Sequence, residues 1–289
     1  MRKRFPLSIY KKTLLNRLLK NYALILASLI LVGMVSIGMN TYWQAMGRGK
    51  ATTQEAVDLL SRSINDKNLQ GKTMLNGLTD NQDKINSLNR YMGSDIPEYL
   101  NYTYDEQLKT GNYLFLPSQV ENFYTTYENI ESIIMVLNNY EGYYLSTNDN
   151  KGGLKEEGTP DLEDKFYLSY PMIHPVTLEV FGSFYVEFSK QDMLSSLMHL
   201  TTYDGLSAYI FSETGYQLLT YTEVTKQMDQ ELIQKRMKET SELPIQSLME
   251  KNLLEHLETV GGFNIIVTIS KEKIMKAVLS DLRILMVGG

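Results

Sequence analysis

Tyrosine is the residue type that most suggests a binding chemistry in this sequence, with twenty copies in 289 residues. A tyrosine offers a flat apolar ring and a hydroxyl group, which together suit stacking on a sugar ring and hydrogen bonding to its hydroxyls. Strands also favour tyrosine for packing alone, and this alternative stays open for each residue. The candidate ligand-binding residues are Tyr124, Tyr127, Tyr144, Tyr167, Tyr170 and Tyr185, with Glu187 beside them.

The residues that usually carry catalysis or bind metals form no recognisable pattern. The three histidines, His174, His199 and His256, have no second histidine at metal-ligand spacing, and we expect His199 and His256 near helix ends. The chain contains no cysteine, which excludes thiolate nucleophiles, disulfides and cysteine-based zinc sites. The pair Asp161 and Glu163 leaves an exported enzyme open as a weaker alternative, although the charge-rich loop around it is more simply a solvated turn. We therefore predict no catalytic residue, no metal site and no cofactor.

The N-terminus has the charge and hydropathy of a membrane anchor. Residues 1–20 hold seven basic side chains, and the rest of the chain carries 21 basic against 34 acidic residues. An uncharged run from Tyr22 to Met39 follows, and its extension to Trp43 spans about 33 Å as a helix, enough to cross a membrane. We predict a cytoplasmic basic tail over residues 1–20 and a transmembrane helix over 21–43, since basic residues stay cytoplasmic. A cleaved signal peptide is the alternative, and the adjacent apolar span argues against nucleic-acid binding.

The C-terminus ends on a second apolar run, LRILMVGG. Residues 282–289 are too few to cross a bilayer. We expect them to begin a second transmembrane helix, and the alternative is a last helical turn packed on the domain.

Between these ends, residues 44–280 are predicted to form an α+β domain. The first part, 44–95, is helical and carries an apolar stripe that Lys67, Gly71 and Asn81 interrupt. This stripe either packs on its own domain or forms a dimer seam. Thr79 or Asp80 is expected to cap a second helix. The apolar positions of the stripe are Val57, Leu60, Ile64, Met74, Leu78, Ile85, Leu88 and Met92.

The pattern then changes from helical to strand-like in two successive units. The first unit has four predicted strands, at 133–137, 143–146, 166–172 and 180–188, with a loop over 148–164 and a closing helix over 191–200. The second, smaller unit has three predicted strands, at 207–211, 216–221 and 263–269. Helices are predicted over 223–238 and after Pro244, the latter with Leu253 and Leu257 at a spacing of four residues and Gly261-Gly262 at its end. A final helix begins at Lys271.

This layout resembles the double Cache ectodomain of bacterial receptors, two PAS-like lobes on a long N-terminal helix. The stretches FYTTYENIESIIMVL, VFGSFYVEFSKQDMLSSL and GFNIIVTISKEKIMKAV carry the resemblance, and KKTLLNRLLKNYALIL is similar to the start of YesM-type sensor histidine kinases of Gram-positive bacteria. The resemblance implies a membrane-distal lobe at 96–200, a smaller membrane-proximal lobe at 201–270 and an exit helix at 271–281. The tyrosine–arginine–tryptophan–tyrosine signature of amino-acid-binding Cache domains is absent, which disfavours an amino-acid ligand.

The function expected from these features is ligand sensing outside the cell. The resemblance implies a homodimeric two-component histidine kinase that responds to a saccharide or another small extracellular ligand, with its kinase part beyond residue 289 and a cytoplasmic response regulator as partner. The alternatives are a membrane-anchored surface protein that binds another protein, and the ectodomain of a chemoreceptor or of a membrane-bound transcription regulator.

Overall fold

A computed structural model of the chain describes residues 7–162, 165–195, 197, 200, 206–212, 217–222 and 253–287. These residues form an α+β fold with two antiparallel sheets, as the sequence predicts. The helices are α1 (Leu7–Thr79), α2 (Gln82–Gly93), α3 (Ile96–Thr110), α4 (Leu116–Thr126), α5 (Lys190–Ser195) and α6 (Lys271–Val287). The strands are β1 (Ile130–Leu137), β2 (Tyr143–Thr147), β3 (Leu154–Glu156), β4 (Tyr167–Ile173), β5 (Val180–Phe188), β6 (Leu206–Ser212), β7 (Gln217–Thr222), β8 (Leu253–Val260) and β9 (Phe263–Ser270).

Helix α1 is continuous over 73 residues and joins the apolar N-terminal segment to the folded domain. Its most apolar 18-residue window has a mean hydropathy of 2.3 and no buried residue, so this part is long and apolar enough to cross a membrane. Further along, the predicted stripe is buried inside the chain, with Val57, Leu60 and Ile64 fully inaccessible to solvent. The stripe therefore packs on its own domain and does not present a dimer seam.

Capping residues determine where helices α2 and α3 begin and end. The N-cap of α2 is Asn81, whose side-chain oxygen accepts a hydrogen bond from the Lys84 N–H at 3.0 Å, so the prediction of Thr79 or Asp80 as the cap is wrong by one or two residues. Thr79 instead ends α1 and donates its hydroxyl to the Leu75 carbonyl. Asp95 caps α3 in the same way, and Gly111 ends it in the left-handed conformation.

The first sheet has five strands in the order β3-β2-β1-β5-β4. Side chains alternate along its strands, so Ile133, Met135, Phe184 and Val186 are buried on the face toward α1. Strand β3 lies inside the segment 148–164, which was predicted to be a loop. Its three residues, LKE, show no apolar alternation, and only pairing with β2 makes them a strand.

The second sheet has four strands in the order β7-β6-β9-β8, and the prediction of a helix through Leu253 and Leu257 is wrong there. These two leucines lie in β8. This strand pairs with β9, with Leu253 opposite Ser270 at one end of the ladder and Val260 opposite Phe263 at the other. Gly261 and Gly262 form the two-residue turn between the strands, with φ of +58° and +86°. Such a turn needs positive φ at both positions, so the glycines join two strands here and do not end a helix. The predicted helix over 223–238 lies outside the described residues.

Helix α1 packs on both sheets within two turns. Ile64 lies beside the Gly261 turn of the second sheet, and the Asn68 carbonyl accepts a hydrogen bond from Tyr170 of the first sheet at 3.2 Å. Between them, Lys67 forms a 3.1 Å ion pair with Asp192 of α5. Helix α6 follows β9 without a break and packs against α1, burying Ile274 and Val278.

Candidate functional site

The seven predicted ligand-binding residues divide between the two faces of the first sheet. Tyr144 and Tyr170 point toward the helices, and Tyr124 and Tyr127, at the end of α4, pack against the same core. The opposite, outward face carries Tyr167, Tyr185 and Glu187. Successive side chains of a strand point to opposite faces of the sheet. Tyr167 and Tyr170 are three residues apart in β4, so they lie on opposite faces. No single pocket therefore contains all seven residues.

Tyr144 and Tyr170 belong to the hydrophobic core, so these two tyrosines serve packing and do not line a ligand site. The Tyr170 ring fills the space left by Gly71, where an added Cβ would overlap the ring at 2.3–2.6 Å. The Tyr144 hydroxyl donates to the Gly152 carbonyl at 2.9 Å, and its ring meets the edge of Tyr91. Burial raises the pKa of both tyrosines well above the ordinary value, so both stay neutral.

Tyr124 and Tyr127 also have partners within the chain. The Ser146 hydroxyl donates to the Tyr124 hydroxyl oxygen at 3.0 Å, and burial raises the pKa of Tyr124 to about 12. The Tyr127 ring lies 6.4 Å from the ring of Phe123. Tyr124 therefore holds the end of α4 against β2, and Tyr127 packs against the core.

The outward face carries a connected polar group that we call the outward cluster: Ser132, Lys165, Tyr167, Tyr185 and Glu187. The pairing of β1, β5 and β4 places Ser132, Glu187 and Tyr167 side by side in one row across the sheet. The Ser132 hydroxyl donates to Glu187 Oε2 at 2.8 Å and lies 3.1 Å from the Tyr167 hydroxyl. Tyr185 meets Tyr167 edge to face, with ring centroids 6.4 Å apart.

The charges of the outward cluster balance each other. Lys165 Nζ lies 3.6 Å from Glu187 Oε2 and 5.9 Å from the centre of the Tyr167 ring. Burial is the largest single influence on the pKa of Lys165 and lowers it, but the charge of Glu187, the neighbouring Tyr167 and the hydrogen bonds to both residues together outweigh it, so the net shift of this pKa is upward. Burial is also the main reason why the pKa of Tyr167 is raised. The cluster thus combines one carboxylate, one ammonium group and two aromatic rings, a set suited to holding a polar ligand.

The histidines take no part in this cluster. His174 lies between β4 and β5, as predicted, and its Nδ1 accepts hydrogen bonds from the Val176 and Thr177 N–H groups at 3.3 and 3.2 Å. His256 lies within β8, so its predicted position near a helix end is wrong. His199 and Glu163 lie outside the described residues. Within the described ranges, no group of three or more His, Asp or Glu side chains is placed to hold a metal ion.

A second concave surface lies at the opposite end of β1 and was not predicted from the sequence. We call it the α2–α3 cleft; it has a volume of about 630 Å³ and lies between α2, α3 and the turn after β1. Its lining residues are Asn86, Asn89, Arg90, Gly93, Ser94, Tyr102, Glu106 and Tyr140. The polar spacing of Asn86, Asn89, Arg90 and Gly93 on one side of α2 is a visible pattern, but only the tertiary fold brings Tyr102 and Tyr140 to it.

Comparison with known proteins gives no family for this chain. No family model matches the sequence. No curated protein matches it either.

Several solved structures are similar to this chain at a low level. The sensory domain of the Campylobacter jejuni chemoreceptor Tlp3 with isoleucine bound is 8% identical, covers 82% of this chain and 97% of its own, and has a TM-score of 0.46. The extracellular domain of mmHK1S-Z3, named as a histidine kinase, is 12% identical with coverages of 83% and 98% and a TM-score of 0.43. Methyl-accepting chemotaxis protein X is 10% identical with coverages of 81% and 99% and a TM-score of 0.37. Similarity at this level assigns neither a family nor a ligand to the chain.

Proposed function

We propose that this chain is the extracytoplasmic sensing region of a membrane receptor, which converts ligand binding into a relative movement of α1 and α6. The observation that carries the proposal is the continuity of α1 from its apolar segment into the core beneath both sheets. Helix α6 leaves the second sheet directly from β9 and packs on α1. A rearrangement of the sheets therefore changes how the two helices pack.

The ligand site in this proposal is the outward cluster, and the ligand is a saccharide or another small polar molecule. Tyr167 and Tyr185 provide rings at a right angle, and Glu187 provides a carboxylate that accepts hydrogen bonds from ligand hydroxyls. The side chain of Glu187 is 14% exposed, so its remaining acceptor positions reach the surface. A ligand shifts the helices only through its difference in affinity for the two arrangements.

The proposal also covers the topology, the kinase part and the oligomeric state of the receptor. The basic tail at 1–20 is cytoplasmic, the main domain is extracellular, and a YesM-type kinase part follows residue 289 and acts on a response regulator. The receptor functions as a homodimer. Because the apolar stripe of α1 is buried within one chain, the dimer contact uses another surface.

Thermal unfolding of the full chain in lipid nanodiscs tests the ligand site. The chain is screened with neutral monosaccharides and disaccharides, amino acids and short peptides, and a compound that raises the Tm is titrated against Glu187→Gln. We expect this variant to weaken binding at least tenfold, since a charge-assisted hydrogen bond contributes about 1.5–3 kcal/mol. Glu131→Gln is the matched control, because Glu131 is an exposed carboxylate in the neighbouring strand β1.

Two results would contradict the proposal. If no compound in any class stabilises the chain, recognition of another surface protein becomes the better explanation. If a compound binds Glu187→Gln and Glu131→Gln equally well, the outward cluster is not the site.

A further inference from the structure

We infer that the α2–α3 cleft is a second binding site, which takes an uncharged ring bearing hydroxyl and amide groups, of the size of an acetylated amino sugar. The cleft lies beyond the C-terminal end of β1 at Tyr140, whereas the outward cluster includes Ser132 near the start of that strand. The two sites are therefore separate surfaces of the same domain, and the second does not depend on the signalling proposal.

Several contacts within the chain support the walls of the cleft. Arg90 of α2 forms a 2.7 Å ion pair with Glu98 of α3, and the Asp95 cap holds the short connection between these helices. The Tyr140 ring rests on Gly93 so closely that an added Cβ would lie 2.8 Å from it. Lys155 donates a hydrogen bond to the Ser94 carbonyl at the edge of the cleft. A preformed wall reduces the ordering cost that a ligand has to offset.

The two charged side chains that line the cleft, Arg90 and Glu106, are each paired within the chain. Arg90 is paired with Glu98 and lies 5.8 Å from the centre of the Tyr102 ring, and Glu106 is paired with Lys109 at 3.0 Å. A charged ligand gains little net attraction here, because the charge of each of these groups is already offset by its partner. A neutral ligand keeps both pairs and hydrogen-bonds to their remaining donors and acceptors.

The other lining groups match a hydroxylated ring with an amide substituent. Asn86 accepts a hydrogen bond from Gln82 through its oxygen, which leaves its NH₂ group for a ligand. The Asn89 carboxamide has no hydrogen bond to another protein group within the described residues, so it offers both a donor and an acceptor. Tyr102 and Tyr140 add two partly buried rings. The volume of about 630 Å³ lies in the usual range of small-molecule sites and holds a monosaccharide.

Three probes that share one ring but differ in charge test the inference: N-acetyl-D-glucosamine, D-glucosamine and D-glucuronate, which are neutral, cationic and anionic at pH 7. Each is titrated against the full chain in nanodiscs and followed by saturation-transfer NMR. We expect the neutral probe to bind at least tenfold more tightly than either charged probe. We expect the double variant Asn86→Ala/Asn89→Ala to weaken that binding at least tenfold, with Asn101→Ala, an exposed position of α3 outside the cleft, as the matched control.

The variants also separate this site from the outward cluster. Glu187→Gln leaves binding at the cleft unchanged, so a failure of one site does not imply a failure of the other. Circular dichroism shows whether the double variant keeps its fold, as expected for changes on the surface of α2. The inference is overturned if N-acetyl-D-glucosamine does not bind, if a charged probe binds as tightly, or if the folded double variant binds like the unchanged chain.

Discussion

The two sheets of this molecule bury their faces differently. In the first sheet, β2, β4 and β5 alternate between a buried face toward α1 and an outward face that includes half-exposed polar side chains, while the central strand β1 is buried on both faces from Ser132 to Met135. In the second sheet, the described residues of β6 from Leu206 to Phe211 and most of β9 are buried on both faces. The accessible outward face of the first sheet is able to receive a ligand, whereas strands that are buried on both faces, such as β6 and β9, are better suited to transmit a displacement.

The position of α6 supports this division of roles. It emerges from β9, the strand that is buried on both faces, and packs on α1 next to that sheet. Because protein interiors are close-packed, we expect a shift of the second sheet to be passed to the helices. The first sheet connects to this unit through α1, which contacts both sheets, and through the contact of Phe166 with Phe263, whose ring centroids are 4.8 Å apart.

The largest expected effect comes from comparing two adjacent residues of β5 that point to opposite faces. Phe184 is fully buried toward α1, whereas Tyr185 is half-buried in the outward cluster. Phe184→Ala is expected to lower the free energy of unfolding by about 3–5 kcal/mol, because it leaves a cavity in the core. Tyr185→Ala is expected to cost about 1 kcal/mol or less but to weaken ligand binding. Denaturant unfolding of the full chain in micelles measures both, and equal losses would contradict the assignment of the two faces.

A smaller effect is expected at the contact between the sheets. Phe166→Leu, Phe263→Leu and the double variant form a thermodynamic cycle, and we expect a coupling energy of about 0.5–1.5 kcal/mol from the lost ring contact. A coupling energy near zero would mean that this contact does not link the two sheets. Tyr209→Leu with Phe166→Leu serves as the control cycle, because Tyr209 stacks on Phe211 within the second sheet.

The smallest expected effect is a loss of folding stability at alkaline pH, which tests whether Tyr124 is buried against the first sheet. Burial raises the pKa of Tyr124 to about 12 from the ordinary value of 10.0. The folded state therefore holds this proton more tightly, and the resulting stability is fully present below pH 10 and is lost as the pH rises toward 12. At pH 10.5 the loss from this residue is about 0.8 kcal/mol. Tyr124→Phe is expected to lose less stability than the unchanged chain between pH 9 and pH 10.5, and parallel pH profiles would refute the burial of this hydroxyl.

Much of the fold follows from local sequence patterns. The apolar stripe of α1 and the alternation along β5 predict both elements, because burial on one side imposes a period of 3.6 or 2. Strand β8 was not predicted, because Leu253 and Leu257 at a four-residue spacing also fit a helix. Gly261 and Gly262, which form the turn between β8 and β9, were interpreted as a helix end. The residue bounds of the two lobes remain a prediction.

The candidate site was less predictable than the fold. Tyr167, Tyr185 and Glu187 were predicted because they fall where a PAS-like pocket would lie, and these three do lie together. Ser132 and Lys165 join them only through strand pairing and a neighbouring loop. Tyr144 and Tyr170 have the same residue type and similar surroundings in sequence, yet they face the core. The face of a strand residue depends on register, and register depends on contacts between distant segments.

The relative movement of α1 and α6 on ligand binding is the central claim, and spin-label distances measure it directly. The chain has no cysteine, so labels at Gln54→Cys in α1 and Met275→Cys in α6 report one distance in nanodiscs, both positions being exposed. Labels at Gln54→Cys and Leu69→Cys, both in α1 and roughly 22 Å apart along its axis, provide the control. On addition of a stabilising ligand, we predict a changed α1–α6 distance and an unchanged distance within α1. An α1–α6 distance that stays the same while the ligand is bound would contradict the account.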